Sequence, residues 1–412
     1  MGKGVLSGVR VLEYDSYAAS NNVGKVLALW GAEVIKAEPL TGDVFRHMGQ
    51  NNNVPIDEDE NPAFQLVASN KKSVTIDTKT PEGYDLLMKL LETCDVFLTN
   101  VRMPSLKKNK LDWETIHAKY PDKVYCHVSG WGLKGPQAAE AGYDTVCYWA
   151  VSGAMVDLAP AGGPPLPPSF GVGDQHIGAY GAGGIAAALY KKEKTGEGEF
   201  VSASLMGVSA LGHGMMTTFC QNAFRDRGLG EKYPRGHFDP TLPTFNAYKC
   251  KDGEWLMLTV NEYTKYLPKF CEVFGISDIV LSNPNFNSEV EIHKPENMKA
   301  MVEILDDVFI KYTSDEALKM MIDNDMVASK YPHFSDFAVN EQAHANGYFE
   351  YYTSPNGQTA SYPANPITFN NGEDNLNLAP FPKLGEHNEE VFHSLGLSDE
   401  QMAELRAKKV IS

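Results

Sequence analysis

The sequence predicts an α/β protein, with a Rossmann-like large domain and a smaller α+β domain, and three observations carry that expectation. Residues 1–130 alternate short β-branched runs with apolar residues at helical spacing, the pattern of a sheet built with crossover helices. From Thr244 onward the pattern changes to a hairpin followed by amphipathic helices. A chain of 412 residues is also long enough to bury two cores.

Strands are predicted at 10–15, 33–38, 73–78, 95–100, 124–129 and 200–205, where β-branched and aromatic residues cluster. Helices are predicted at 22–30 and 81–94, the second opened by Pro81, which suits a first helical turn. A Pro/Gly-rich loop spans 159–173. The small-residue stretch 178–190 then predicts a helix able to pack very closely on its neighbours, ended by the tight turn Lys194-Thr-Gly-Glu-Gly198. Residues 207–243 read as a helix followed by an irregular exit loop. Segments 245–250 and 255–260 around Lys251-Asp-Gly253 form a hairpin, with helices at 263–274, 295–312 and 315–324. The tail carries a strand-like 367–369 and a helix at 399–408. The expected boundaries are 1–220 for the first part of the large domain, 240–330 for the small domain and 345–412 for a return to the large one.

The composition is ordinary for a globular protein, and the formal net charge of −17 opposes nucleic acid and anionic membrane surfaces as partners. A small anion could still enter a local basic pocket. The six cysteines (Cys94, Cys126, Cys147, Cys220, Cys250, Cys271) show neither a C-x-x-C pair nor zinc-like spacing, as reduced thiols of a cytosolic protein would. With no signal-like N-terminus and no membrane-length apolar run, the protein is expected to be soluble and cytoplasmic.

Most familiar catalytic and nucleotide-binding motifs are missing from the sequence. After the first strand, Tyr14-Asp-Ser-Tyr-Ala-Ala-Ser20 holds no glycine, so the phosphate-cradling turn of dinucleotide enzymes is missing. Gly181, Gly183 and Ala186 match G-x-G-x-x-A in form only, since no strand precedes them. No G-x-S-x-G elbow, Walker A loop or H-E-x-x-H helix occurs, and no metal site is expected.

Three segments remain as candidates for chemistry. In Ser169-Phe-Gly-Val-Gly-Asp-Gln-His-Ile-Gly178, Asp174 is either an N-cap for the helix that follows or a carboxylate placed where glycines let a substrate carbonyl approach. The island 100–110 carries Arg102, Lys107, Lys108 and Lys110 with no acidic residue, and reads either as a diphosphate site or as a solvated helix face. Ala141-Gly-Tyr-Asp144 places Tyr143 and Asp144 thirty residues before Asp174. His176 reads as a helix-surface residue rather than an acid–base partner.

Taken together the segments resemble the family III CoA-transferases, the group of formyl-CoA transferase and carnitine CoA-transferase. The resemblance rests on blocks in the family's order: Leu6-Ser-Gly-Val-Arg-Val-Leu-Glu13, Gly31-Ala-Glu-Val-Ile-Lys-Ala-Glu38, Asn70-Lys-Lys-Ser73, Asn100-Val-Arg102, Gly142-Tyr-Asp144, Gly173-Asp174, Lys194-Thr-Gly-x-Gly198 and Leu384-Gly-Glu-His-Asn388. It implies that Asp174 is a nucleophile passing through an aspartyl anhydride and an enzyme–CoA thioester, and that Asp144 or Tyr143 positions the intermediate. It also implies that Tyr17, Ala18, Ala19, Ile76, Asn100, Val101, Arg102 and Lys108 contact coenzyme A. Further implications are an acyl-CoA and a carboxylic acid as substrates, no permanently bound cofactor, and an interlocked homodimer.

Ala18 stands where formyl-CoA transferase has Gln, and Pro39 where it has Arg, so side-chain contacts at those positions are lost. Gly228-Leu-Gly-Glu-Lys-Tyr-Pro-Arg-Gly-His-Phe-Asp239 replaces that enzyme's glycine tetrad, which argues against formate or oxalate. The chain is most similar to the branch acting on 2-hydroxyisocaproate and phenyllactate. The alternatives are a 2-acyl-CoA racemase, which needs a histidine where Tyr143 stands, and a non-catalytic CoA-binding protein.

Overall fold

The computed structural model describes residues 4–49, 53–225, 233 and 235–412. They form two compact units: Met1–Ala154, Pro167–Phe219 and Ala338–Ser412 in one, Met155–Leu166 and Cys220–Phe337 in the other. The chain runs β1 (Arg10–Glu13), α1 (Ala18–Leu29), β2 (Glu33–Glu38), α2 (Pro62–Ala68), β3 (Lys72–Thr75), α3 (Pro81–Glu92), β4 (Val96–Thr99), α4 (Met103–Lys108), α5 (Trp113–Lys119) and β5 (Val124–Ser129). It continues through α6 (Ala154–Asp157) to α7 (Val172–Thr195), β6 (Phe200–Ser204) and α8 (Leu205–Gly212).

The six strands form one parallel sheet in the order β3-β2-β1-β4-β5-β6. The chain builds outward from β1 in one direction, then returns to its other side with β4. The β1/β4 boundary is therefore a topological switch point, where the loops leaving the strands' carboxyl ends diverge and open a crevice. Apolar side chains cover both faces, as a parallel sheet requires. Val11, Val96, Leu98 and Cys126 pack against Val23 and Leu27 of α1 and Ile177 and Ile185 of α7. Leu12, Ile35, Phe97 and Tyr125 pack against Leu87 and Leu91 of α3, Ile116 of α5, and Val391, Phe392 and Met402 near the C-terminus.

The small residues of α7 act as the composition predicts. A Cβ on Gly178 would come within 2.9 Å of the Asn22 Cβ, and one on Gly181 within 2.7 Å of a Val23 methyl. Helix α1 thus lies against bare backbone. It begins at Ala18, four residues before the predicted start, because Tyr17 supplies the abrupt entry and remote groups hold it there.

The smaller unit carries an antiparallel sheet of β7 (Ala247–Lys249), β8 (Trp255–Leu258) and β9 (Ala328–Lys330) in that order. Its core includes Tyr248, Leu256, Phe270, Phe309 and Met321. The β7/β8 hairpin turns where expected, at Gly253, whose φ of +90° suits glycine. In the tail, residues 367–369 are not a strand. Asn365 Oδ1 accepts the Ile367 N–H (3.1 Å) and Asn375 Oδ1 accepts that of Phe369 (2.9 Å), so side chains take the donors a strand would offer. The tail's hairpin instead pairs β10 (Phe349–Thr353) with β11 (Thr359–Pro363).

Beneath the carboxyl ends of β1 and β2 lies a buried ionic cluster. The Lys36 ammonium, wholly enclosed, meets Asp15 (2.6 Å), Asp43 (2.9 Å) and Glu13 (3.1 Å). Lys71 holds the other Glu13 oxygen at 2.7 Å and the Asn21 carbonyl at 2.7 Å. Burial works against the Lys36 charge, but its carboxylate neighbours outweigh it and raise the ammonium's pKa well above the usual lysine value. Burial and Asp15 push Glu13 up to about 7.

Replacing Lys36 by Met leaves Asp15, Asp43 and Glu13 enclosed without their shared cation, and should cost about 3–5 kcal/mol in urea unfolding at pH 7. A loss below about 1 kcal/mol would show that the cluster is not what holds these strands' ends together.

Candidate active site

Loops from the switch point, the 129–145 segment and the first turn of α7 enclose a cavity of about 860 Å³ in the larger unit. Asn100, just past β4, ties the two diverging loops together: its Oδ1 accepts the Ser16 N–H at 3.1 Å and its Nδ2 donates to the Ser16 carbonyl. The next residue, Tyr17, has φ 65° and ψ −165°, backbone geometry that is almost exclusive to glycine and costs roughly 1–3 kcal/mol. Asp43 sustains it. One Asp43 oxygen accepts the Tyr17 N–H (3.1 Å) and the Ser16 hydroxyl (2.9 Å), and the other accepts Asn21 Nδ2 (2.9 Å), which also donates to the Tyr17 carbonyl. Burial opposes the Asp43 charge, yet Lys36 and the Phe45 N–H prevail and hold its carboxyl well below the usual range.

Tyr17 meets the Tyr143 ring edge-on, with centroids 5.4 Å apart. Tyr143 is more than half exposed. The hydrogen bond with Tyr143, then burial, raise the Tyr17 phenol.

The structure takes the capping role, which the sequence left open for Asp174, and gives it to Asp144. The N-cap of α7 is Gly171, in left-handed geometry, and Asp144, 27 residues upstream of it, supplies the capping oxygens. Asp144 Oδ1 accepts the Gly173 N–H at 2.7 Å and Oδ2 that of Gly171 at 3.1 Å. The fit is close enough that a Cβ on Gly173 would lie 2.3 Å from Asp144 Oδ1, so only glycine serves there. Asp174, third residue of the helix, is thereby relieved of capping. Its carboxylate has no hydrogen-bond partner among the described residues, and burial, then the charge of Asp144, push it up to about 7. Asp144 itself is raised by burial, against the pull of the backbone N–H groups of Gly173, Gly171 and Asp174.

Among the other sequence candidates, Ala18, Ala19, Val101 and Arg102 line the cavity with Tyr17, Asn100, Tyr143, Asp144 and Asp174. Ile76 and Lys108 do not. Ile76 is enclosed just past β3, donating its N–H to the Glu38 carbonyl at 2.8 Å, and Lys108 is exposed on the last turn of α4. His176 is exposed and bonds Tyr148 Oη through Nδ1 at 2.8 Å. Of the segment that replaces the glycine tetrad, residues 228–232 and 234 lie outside the described residues. Glu389, His393 and Asp399 have metal-ligand spacing, but all are exposed and Glu389 already pairs with Arg406.

The wall also holds residues that the sequence did not single out, among them two polar ones, Asn22 and His127. His127 interrupts the apolar run of β5 and bonds the Val101 carbonyl through Nε2 at 3.0 Å, and burial lowers its pKa, leaving it neutral. A polar residue inside an otherwise apolar strand was its only signal. Asn22 was placed at a predicted helix start, which concealed that it lies one turn inside α1.

Residues 6–388 match the sequence model of CoA-transferase family III. The chain is 35% identical over 407 residues to the (R)-2-hydroxy-4-methylpentanoate CoA-transferase of Clostridioides difficile, covering 99% of each chain. It is 31% identical over 410 residues to the cinnamoyl-CoA:phenyllactate CoA-transferase of Clostridium sporogenes, covering 99% of this chain and 97% of that one. Its fold is similar to that of a CAIB/BAIF family protein from Brucella suis, with a TM-score of 0.80 at 24% identity over 95% of this chain and all of the other.

Since Asp174 rises from 3.8 to about 7 on folding, the folded chain keeps a proton that the unfolded chain releases between those values. The resulting stability is complete below about pH 4 and is lost as pH rises through about 7. Asp174→Asn should therefore be more stable than the parent at pH 8 by about 1–3 kcal/mol, a gap that closes toward pH 4 in paired urea titrations. Equal midpoints at both pH values would contradict the raised carboxyl.

Proposed function

The chain belongs to CoA-transferase family III, and from that premise we propose that it moves coenzyme A from an acyl-CoA to a 2-hydroxy, aryl or branched-chain carboxylic acid, with Asp174 as nucleophile. The observation that carries this reading is the unbonded Asp174 carboxylate, half-buried in the switch-point cavity and raised to about 7. Such a group is poorly stabilised at rest and gains by attack.

An Asp174 oxygen adds to the thioester carbonyl, and the C–S bond breaks to give a mixed anhydride and CoA thiolate. The thiolate then attacks the Asp174 carboxyl carbon and expels the donor acid as its carboxylate, leaving an enzyme thioester. The acceptor carboxylate attacks that thioester and releases the thiolate. Finally the thiolate takes the acceptor acyl group from the new anhydride, and Asp174 is restored. Each exchange trades one activated acyl bond for another, so neither metal nor redox chemistry is required by the balance. Asp144 positions the nucleophile by fixing the first turn of α7.

Backbone amides after β1 and at the start of α1, together with Tyr17, Ala18, Ala19, Asn100, Val101 and Arg102, hold coenzyme A. Lys108, exposed on α4, extends that contact beyond the cavity wall, which the enclosed Ile76 cannot do. Arg102 is the only cationic side chain in the wall among the described residues, and faces the ligand's phosphates. Met48, Leu66, Val67, Leu133 and Phe170 make the cavity apolar enough for a branched or aromatic acyl group. The names of the two relatives above support the same acid classes. The enzyme works in the cytoplasm as a homodimer without a resident cofactor. Racemisation has Tyr143 where it needs a histidine, and no observation favours it.

Hydroxylamine added to protein incubated with an acyl-CoA should leave a hydroxamate at Asp174, detected by peptide mass spectrometry. Asp174→Ala should lose about 10³-fold or more in transfer rate. An unmodified Asp174 together with an active Asp174→Ala variant would sink the mechanism. Because the ionised form attacks, the rate should fall as pH drops below about 7, and a profile flat from pH 8 to pH 5 would exclude a nucleophile with the raised carboxyl of Asp174.

A further inference from the structure

Adjacent asparagines in α1 have opposite fates. Asn21 is fully engaged, donating to Asp43 and to the Tyr17 carbonyl and accepting from Lys71. Asn22 is 1% exposed, yet neither its Nδ2 nor its Oδ1 has a hydrogen-bond partner. Buried amides are nearly always bonded, because an unmatched one keeps the full cost of losing water. Asn22 is also the only cavity-wall side chain among the described residues with two polar atoms both buried and unpartnered.

Its direction follows from the helix pairing. Helix α1 leaves β1 and α7 leads into β6, so both run against the strands and parallel to each other, with Asn22 beside Gly178 and Val23 beside Gly181. Helical side chains lean toward their own N-terminus. Asn22 therefore leans from the level of Gly178 toward the turn before it, where Asp174 sits at i−4 on the same face. The two side chains share one cavity and do not hydrogen-bond each other. The amide thus leaves the resting nucleophile alone, and its donor is available to an oxygen that arrives with the substrate.

We propose that Asn22 is a catalytic residue of the transfer, its Nδ2–H donating to the acyl-CoA carbonyl oxygen and stabilising the oxyanion formed when Asp174 attacks. This rests on the transferase reading above. In the step concerned, the new bond joins an Asp174 oxygen to the thioester carbon and the carbonyl electron pair moves to the oxygen facing Asn22. That pair then returns as the C–S bond breaks and the thiolate leaves. A donor that strengthens its bond only as charge develops lowers the barrier without tightening substrate binding.

The test compares the full-length parent enzyme with Asn22→Ala and the near-isosteric Asn22→Asp, using an acyl-CoA donor, an acceptor acid, hydroxylamine trapping and thermal unfolding. Asn22→Ala should lower kcat about 10²-fold with KM changed less than about threefold, and should not lower the unfolding midpoint, because no protein hydrogen bond is lost. Asn22→Asp, which lacks the donor, should be at least as slow. Hydroxamate should still form at Asp174 in Asn22→Ala, only more slowly. A kcat within about twofold of the parent would overturn the proposal, as would a loss of rate accompanied by a lowered midpoint in both variants, which would assign Asn22 to helix packing. If the parent enzyme itself gives no hydroxamate at Asp174, the transferase reading fails first, and the two failures are thereby told apart.

Discussion

A single buried ammonium holds the functional end of the sheet in shape. Lys36 projects from β2 among carboxylates of the β1 exit and of the loop after β2, and one of these, Asp43, in turn grips the backbone of Ser16 and Tyr17. The strained turn that starts α1 has no local means of support: its own side chains offer no cap, and its geometry favours glycine. Support comes instead from charge drawn out of water, where pairing is strong and leaving any member unpaired is costly. Glycine at that turn would adopt the conformation freely, but it would not bring a phenol to the cavity wall.

The same economy of space governs the two helices that meet behind the cavity. Glycines in α7 let α1 approach until backbone faces side chain, and this proximity brings the β1 loop and the first turn of α7 into one site. Close packing of this kind is unforgiving, since an added methyl has nowhere to go. It also encloses Asn22, which in a looser interface would reach water.

Asp144 and Asp174 divide between them what one carboxylate cannot do. A carboxylate that accepts backbone N–H groups has donors that partly offset its burial, whereas one left without donors in a half-buried place is pushed up to about 7 with nothing to oppose the shift. The cap also acts on Asp174 twice, by anchoring its helix turn and by adding a nearby negative charge that raises its pKa.

Much of this was legible in the chain. The β-branched runs marked all six parallel strands, the Gly/Ala stretch marked a close helix contact, and ordered blocks such as Gly142-Tyr-Asp144 and Gly173-Asp174 marked the family. Tail residues 367–369 misled because neighbouring asparagines bond their backbone, and the Pro-Asn-Gly turn at 355–357 between aromatic runs was the overlooked hairpin signal. Local pattern determines such elements because periodicity and turn chemistry act over a few residues. What the tertiary structure alone decided is which of two aspartates caps and which is left unbonded, and which of two asparagines is spent. Those outcomes depend on hydrogen bonds between segments twenty to thirty residues apart, and no local pattern records which buried polar atom finds a partner and which is left free to meet a substrate.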